Sequence, residues 1–269
     1  MKTNLFLAFA LVFLVRCAHQ PSSTEVVSVR KASPLEWGSF SAEQRNREEA
    51  LNAILGKMTV EFEGNDESVR GLGTSAAVLP SNYLLEIRDP VGRLHFQAVS
   101  RGQEFDGYFP RLNRVYHDKH YGKRFFQKTW SIPISFPELS RLSAGLLPKG
   151  MEALQPDTLR PQGEQLEGTL TVEGSEVVVT LKPEGTLSHL RWKRKEGEVE
   201  VSWRDFRPCC KWIGADSKEK GFGFAHVIEV KTKDSIILIN WKSLQKWEKA
   251  SPEAFNIKTG LATKVINLE

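Results

Sequence analysis

Cysteine and histidine are sparse: three Cys and six His in 269 residues. No group of them recurs at metal-ligand spacing. His117 and His120 stand three apart, and on a strand that spacing turns them to opposite faces. No Gly-x-Ser-x-Gly elbow and no His-Glu-x-x-His helix is present, which removes the common hydrolase and zinc-protease signatures. Gly221-Phe222-Gly223-Phe224 lacks the strand-loop-helix unit that a dinucleotide loop requires. Charge of one sign is also lacking. The formal net charge is +4, and removing Lys2 and Arg16 with residues 1–16 leaves 35 − 33 = +2. That balance gives no electrostatic case for nucleic acid. No internal repeat shows, and no apolar run is long enough to span a bilayer as a helix. The sequence calls for neither metal nor cofactor.

What is present begins with a targeting signal. Lys2 precedes Leu5–Val15, eleven apolar residues, the length of a signal h-region. Cys17 follows, then the polar stretch Ala18-His19-Gln20-Pro21-Ser22-Ser23. Leu14-Val15-Arg16-Cys17 resembles the lipobox of bacterial lipoproteins, with Arg16 where that pattern has Gly, Ala or Ser. The resemblance implies cleavage after residue 16 and lipidation of Cys17. Ala18, in place of an Asp that would retain the protein at the inner membrane, implies the outer membrane. Expected organisation is a signal peptide (1–16), a lipidated Cys and flexible tether (17–40), and one folded domain (41–269). Cys209 and Cys210 are adjacent, so on a strand they face opposite ways. A vicinal disulfide and two thiols without a role are both open.

With 40% hydrophobic and 26% charged residues the chain can build a core. Ser41, with Gln44 three residues on, predicts a helix over Ala42–Leu55 closed by Gly56. Met58, Val60 and Phe62 then alternate with polar residues at strand period. Five short strand-like runs follow as a meander: Gly71–Leu79, Tyr83–Arg88, Arg93–Val99, Glu104–Phe109 and Leu112–His117. Asp89-Pro90-Val91-Gly92 is turn chemistry, with Pro presetting φ and Gly tolerating positive φ. Phe125–Trp130 is read as a further short strand. Pro137 and Glu138 suit the first turn of a second helix, whose apolar stripe is Leu139, Leu142 and Leu146. Lys149–Leu166 reads as a loop. Six more strands are expected between Leu166 and Leu244, and the tail Pro252–Leu268 as a strand-like strap. About a dozen strands in one antiparallel sheet must curl. The expected fold class is mainly β (α+β): an incomplete β-barrel with helices covering its concave face and a hydrophobic interior.

Three runs carry a more specific likeness: Tyr83–Gly92 (YLLEIRDPVG), Pro137–Pro148 (PELSRLSAGLLP) and the closing strand Ile236–Leu244 with Asn240-Trp241. In this order they resemble the superfamily of LolA/LolB-like lipoprotein carriers and outer-membrane receptors, the receptor more closely. The resemblance covers about Ser41 to Leu244. It implies a half-barrel that holds acyl chains or another hydrophobe without catalysis. It also implies an exposed Leu on a loop that meets the membrane, for which Leu79 in Val78–Asn82 is the candidate. Trp130, Trp192, Trp203 and Trp241 are the candidates for lining the cavity.

Two functions follow. In the first, an outer-membrane-anchored module binds lipid or lipoprotein acyl chains. Burying a methylene is worth about 0.8 kcal/mol, so ten give roughly 8 kcal/mol before entropy costs. In the second, a structural lipoprotein subunit uses a filled half-barrel to bind an envelope partner. An empty apolar cavity of several hundred Å³ favours the first and a solid interior the second. An enzyme would need acids or His converging inside the barrel. Lys193-Arg194-Lys195 is a solvated hairpin end or a contact for anionic head groups.

Overall fold

The computed structural model describes residues 34–64, 68–208, 223–247, 251–257, 259 and 263–268. The signal and Cys17, and the Cys209–Cys210 pair, lie outside them. After helix α1 (Pro34–Ala50), strands β1 (Ala53–Glu63), β2 (Ser68–Val78), β3 (Asn82–Arg88), β4 (Leu94–Arg101), β5 (Glu104–Phe109) and β6 (Arg114–Asp118) form the expected meander. The turn at Asp89 is built as its residues dictate. Gly92 has φ +86°, and its N–H donates to Asp89 O at 2.9 Å. The Asp89 carboxylate takes the N–H of Val91 (3.1 Å) and of Arg93 (2.9 Å).

Helices α2 (Lys123–Trp130) and α3 (Phe136–Ser143) come next. A second meander follows: β7 (Thr158–Gln162), β8 (Gln165–Val172), β9 (Ser175–Leu181), β10 (Leu187–Arg194), β11 (Gly197–Pro208), β12 (Gly223–Lys231) and β13 (Ile236–Lys246). Its last strand pairs antiparallel with β1, from Ile54↔Lys246 to Glu63↔Ile236. That seam joins the two meanders into one open sheet. At its edge β14 (Lys264–Leu268) pairs parallel with β6. The full order is β14-β6-β5-β4-β3-β2-β1-β13-β12-β11-β10-β9-β8-β7.

This sheet is strongly curled, and α3 supplies the proof. The Phe136 ring packs on Phe105 of β5 at 5.5 Å, while Glu138 pairs with Arg194 of β10 at 3.0 Å. Those strands are third and eleventh in the order. Eight strand spacings laid flat are roughly 38 Å, whereas an eight-residue helix is about 12 Å long. Both ends can be touched only if the sheet wraps around the helix. The result is the expected incomplete barrel with helices in its concavity.

Leu146, expected in the stripe of α3, lies past its end at Ser143, and Leu112 closes a 3-10 turn (Pro110–Leu112) instead of opening β6. Four more local expectations fail, each for a physical reason. First, α1 begins at Pro34 and ends at Ala50, so Ile54, Leu55 and Gly56 belong to β1. The buried residues of α1 are Trp37, Phe40, Ser41, Gln44 and Arg47, with Leu51 just past its end. Three of those six are polar, which hides the stripe from apolar periodicity. Gln44 is not a capping-box acceptor; its Oε1 takes the N–H of Leu147 (3.1 Å). Second, Gly56 faces inward because the Trp241 ring lies over it, and a Cβ there would stand 2.2 Å from Trp241 Cζ3. Third, Phe125–Trp130 is helical. Its first N–H groups are taken by the buried carboxylate of Asp118, whose Oδ2 accepts from Arg124 (2.9 Å) and Phe125 (3.2 Å). Such a cap from the preceding strand leaves no mark at N-cap spacing. Fourth, β7 occupies part of the stretch read as loop. Its Pro161 is tolerated because β7 is an edge strand.

Helix α1 is clamped to α3 by a bidentate ion pair. Arg141, 3% exposed, donates from Nη1 and Nη2 to Glu48 at 2.7 and 3.1 Å and from Nε to Leu147 O at 2.7 Å. The hydrogen bond from Arg141 holds the Glu48 carboxyl below its ordinary value of 4.5, against an opposing effect of burial. A depressed carboxyl contributes stability that is complete above its unfolded pKa and is lost as pH falls through the folded value. Glu48→Gln should therefore unfold more readily at pH 7, by about 1–2 kcal/mol. The gap from wild type should close progressively below pH 4.5. Denaturant titrations at several pH values measure it, and a gap independent of pH would refute the linkage.

Candidate functional site

Between the curled sheet and the two inner helices lies an apolar hollow. Its floor is Met58, Val60 and Phe62 of β1, Val69 of β2, Leu85 and Ile87 of β3, and Ile237 and Ile239 of β13. Its roof is Trp130 of α2 with Phe136 and Leu139 of α3. The polar residues of the wall are Ser75, Ser140 and Ser143, and no charged residue lines it. The space open to the centres of water molecules is about 30 Å³. That is enough for a water or two, and far short of several hundred Å³.

Of the four tryptophans proposed for the lining, Trp130 is in the wall. The other three are buried but serve α3 instead. Trp203 Nε1–H donates to Leu142 O and Trp241 Nε1–H to Ser143 O, both at 2.8 Å. These are last-turn carbonyls that would otherwise lack helical partners. Trp192 carries the Arg194 guanidinium over its ring at 4.0 Å. Arg194 in turn pairs with Glu138, which forms a capping box with Ser135 at the start of α3. So the sheet grips both ends of α3, and in the hairpin end Lys193-Arg194-Lys195 the first two residues are paired, Lys193 with Glu176 and Arg194 with Glu138.

Leu79 is half-buried and packs against the core. It borders a shallow open cleft with Glu48, Asn52 and Lys149. The exposed apolar tips lie at the other end of β3. Val91 is 74% and Leu112 54% exposed. Asp89 holds their two turns together, pairing with Arg93 at 2.8 Å and approaching Arg111 at 3.9 Å. Leu72, paired in register with Arg88, and Val265, one residue on from the Lys264↔Arg114 pair, are exposed at the same end. Four of the five large hydrophobics exposed among the described residues thus share one end of the first meander. The hollow reaches toward it, since Phe62, Val69 and Ile87 are the wall residues nearest that end.

No family model matches the chain, and no curated protein matches it. Solved structures do. A domain assigned as an outer membrane lipoprotein-sorting protein, from Vibrio parahaemolyticus, superposes with a TM-score of 0.56 at 13% identity, over 83% of this chain and 97% of that one. A LolA superfamily protein from Nitrosomonas europaea gives 0.48 at 10% identity, over 80% and 96%. The chain has the LolA/LolB-like fold.

Within that fold the sequence located the roof helix and one wall residue, Trp130. It gave no sign of Val91, which stands between Pro and Gly in a turn, or of Leu112, which reads as the first residue of a strand but closes the 3-10 turn Pro110–Leu112. Among the described residues no three His, Cys, Asp or Glu side chains gather to hold a metal. Asp106 and His117, at 2.8 Å, form a pair outside the hollow, shared with Arg101 at 2.9 Å.

The hollow has a mechanical signature. Overpacking a dense interior costs about 1–3 kcal/mol, and free space lowers that cost. Val60→Phe, at the hollow, should be less destabilising than Val201→Phe, which stands in the filled part of the core. The expected difference is about 1 kcal/mol or more by denaturant unfolding. Equal costs would mean that the hollow is closed off in solution.

Proposed function

We propose that this protein is an envelope lipoprotein that binds a hydrophobic ligand, lipid or lipoprotein acyl chains, inside its half-barrel and exchanges it with a membrane. The observation that carries the proposal is a juxtaposition. The charge-free hollow reaches toward the end of the sheet that displays Val91 and Leu112 between Arg93, Arg111 and Arg114. Exposed apolar tips among arginines suit a surface with an apolar interior and phosphate head groups. The residues 1–16 would be removed, Cys17 lipidated, and the stretch from there to about residue 33, ahead of α1, would tether the body to the outer membrane. No catalytic step is part of this function.

Loading requires movement. A hollow of about 30 Å³ cannot take a long chain until α2 and α3 shift from the sheet. The small volume is also the observation that favours the second function, a structural subunit with a filled interior that binds an envelope partner.

Purification of the full-length protein from membranes, with mass spectrometry of what it retains, separates the two. Co-purifying lipid or lipoprotein is the expected result; a stably bound protein partner and no lipid would support the structural subunit. For the membrane-facing end, Val91→Asp with Leu112→Asp should weaken binding to anionic phospholipid vesicles at least about tenfold. Unfolding stability should change little, since both side chains are exposed. Unchanged vesicle binding would remove this end from the proposal.

A further inference from the structure

Trp130 has a hydrogen-bond donor with nowhere to go. The residue is 4% exposed and stands in the wall of the hollow, yet its Nε1–H meets no acceptor among the described residues. The indoles of Trp37, Trp203 and Trp241 each donate to a backbone carbonyl at 2.8 Å. That of Trp192 is also without an acceptor, but Trp192 does not line the hollow. The Trp130 ring has little freedom to find one for itself. Phe62, Phe96, Phe125 and Phe126 surround it at centroid distances of 4.8 to 5.5 Å. Its own carbonyl accepts from Ser235 Oγ. A buried donor fixed in an apolar wall is unfavourable unless something completes it.

We infer that Trp130 Nε1–H is a specificity element of the hollow, donating to the carbonyl oxygen of a neutral acyl ester. This rests on the ligand-binding function proposed above and narrows it. A bare hydrocarbon leaves the donor unmet, and an ether oxygen is a weaker acceptor than an ester carbonyl. A free fatty acid offers oxygens but brings a charge, and no cation lines the hollow to receive it. A neutral ester satisfies the donor and adds no charge. Sites built around a buried polar group reject analogues that lack its partner.

Three probes of equal chain length test this on the full mature protein: monopalmitoylglycerol, 1-O-hexadecylglycerol and palmitate. Each competes against the fluorescent apolar dye N-phenyl-1-naphthylamine. The ester should displace dye at concentrations about tenfold lower than the ether or the carboxylate. Trp130→Phe keeps an aromatic ring and removes the donor. It should still bind dye while its preference for ester falls to within about twofold. In the wild type, the Trp130 indole proton resonance should move downfield with the ester and stay in place with the ether, a readout that needs no variant. Equal displacement by ester and ether, or a preference that survives in Trp130→Phe, overturns the inference and leaves the carrier function standing. An indole resonance that the ester does not move, with water as the donor's only partner, overturns it too. Failure of the wild type to bind dye or any of the three probes removes the carrier function, and this inference with it.

Discussion

The structure depends on one constraint: a fourteen-strand sheet must bury a face, and here it buries that face on a helix too short to reach across it flat. The contacts from α3 to β5 and to β10 force the curl. Once the sheet curls, it has an inside, and what occupies that inside decides what the protein can do. Buried side chains of α2 and α3 fill most of it. Phe125, Phe126, Phe136, Leu139 and Leu142 are all inaccessible or nearly so.

The gripping of α3 is unusual in its chemistry. Helix ends buried without partners are costly, and α3 is buried at both. The sheet answers with indole N–H groups at one end and an arginine-held capping box at the other. These bonds are directional, so they fix where α3 sits over β1 and β13. The hollow is the space that remains between the helix and the sheet once that position is set.

Legibility from sequence followed the physics of each element. Strands with one apolar face, such as β1 at Met58, Val60 and Phe62, were plain because alternation is a local signal. The turn at Asp89–Gly92 was plain because proline and glycine act within four residues. Helix α3 was plain because Pro137 and Glu138 mark its first turn. By contrast, α1 depends on partners distant in sequence, and α2 on a cap that lies outside N-cap spacing. Gln44 and Arg47 are buried because Leu147 and Gly223 accept or supply their hydrogen bonds, and α2 starts where Asp118 can cap it. The four candidate tryptophans are buried, but of these only Trp130 lines the hollow, and Trp203 and Trp241 are turned to the last carbonyls of α3 instead. Exposure of Val91 and Leu112 is a property of neighbouring turns meeting in space, and no window along the chain contains both.

The seam between β1 and β13 has a consequence for biosynthesis. Residues 53–63 are made early and their partners 236–246 near the end, so the middle of the sheet cannot close until almost the whole chain is available. Pairings of such long sequence separation form slowly. The hairpins of the first meander are local and can form earlier, but until the last strands arrive its inward face lacks cover and is prone to stick.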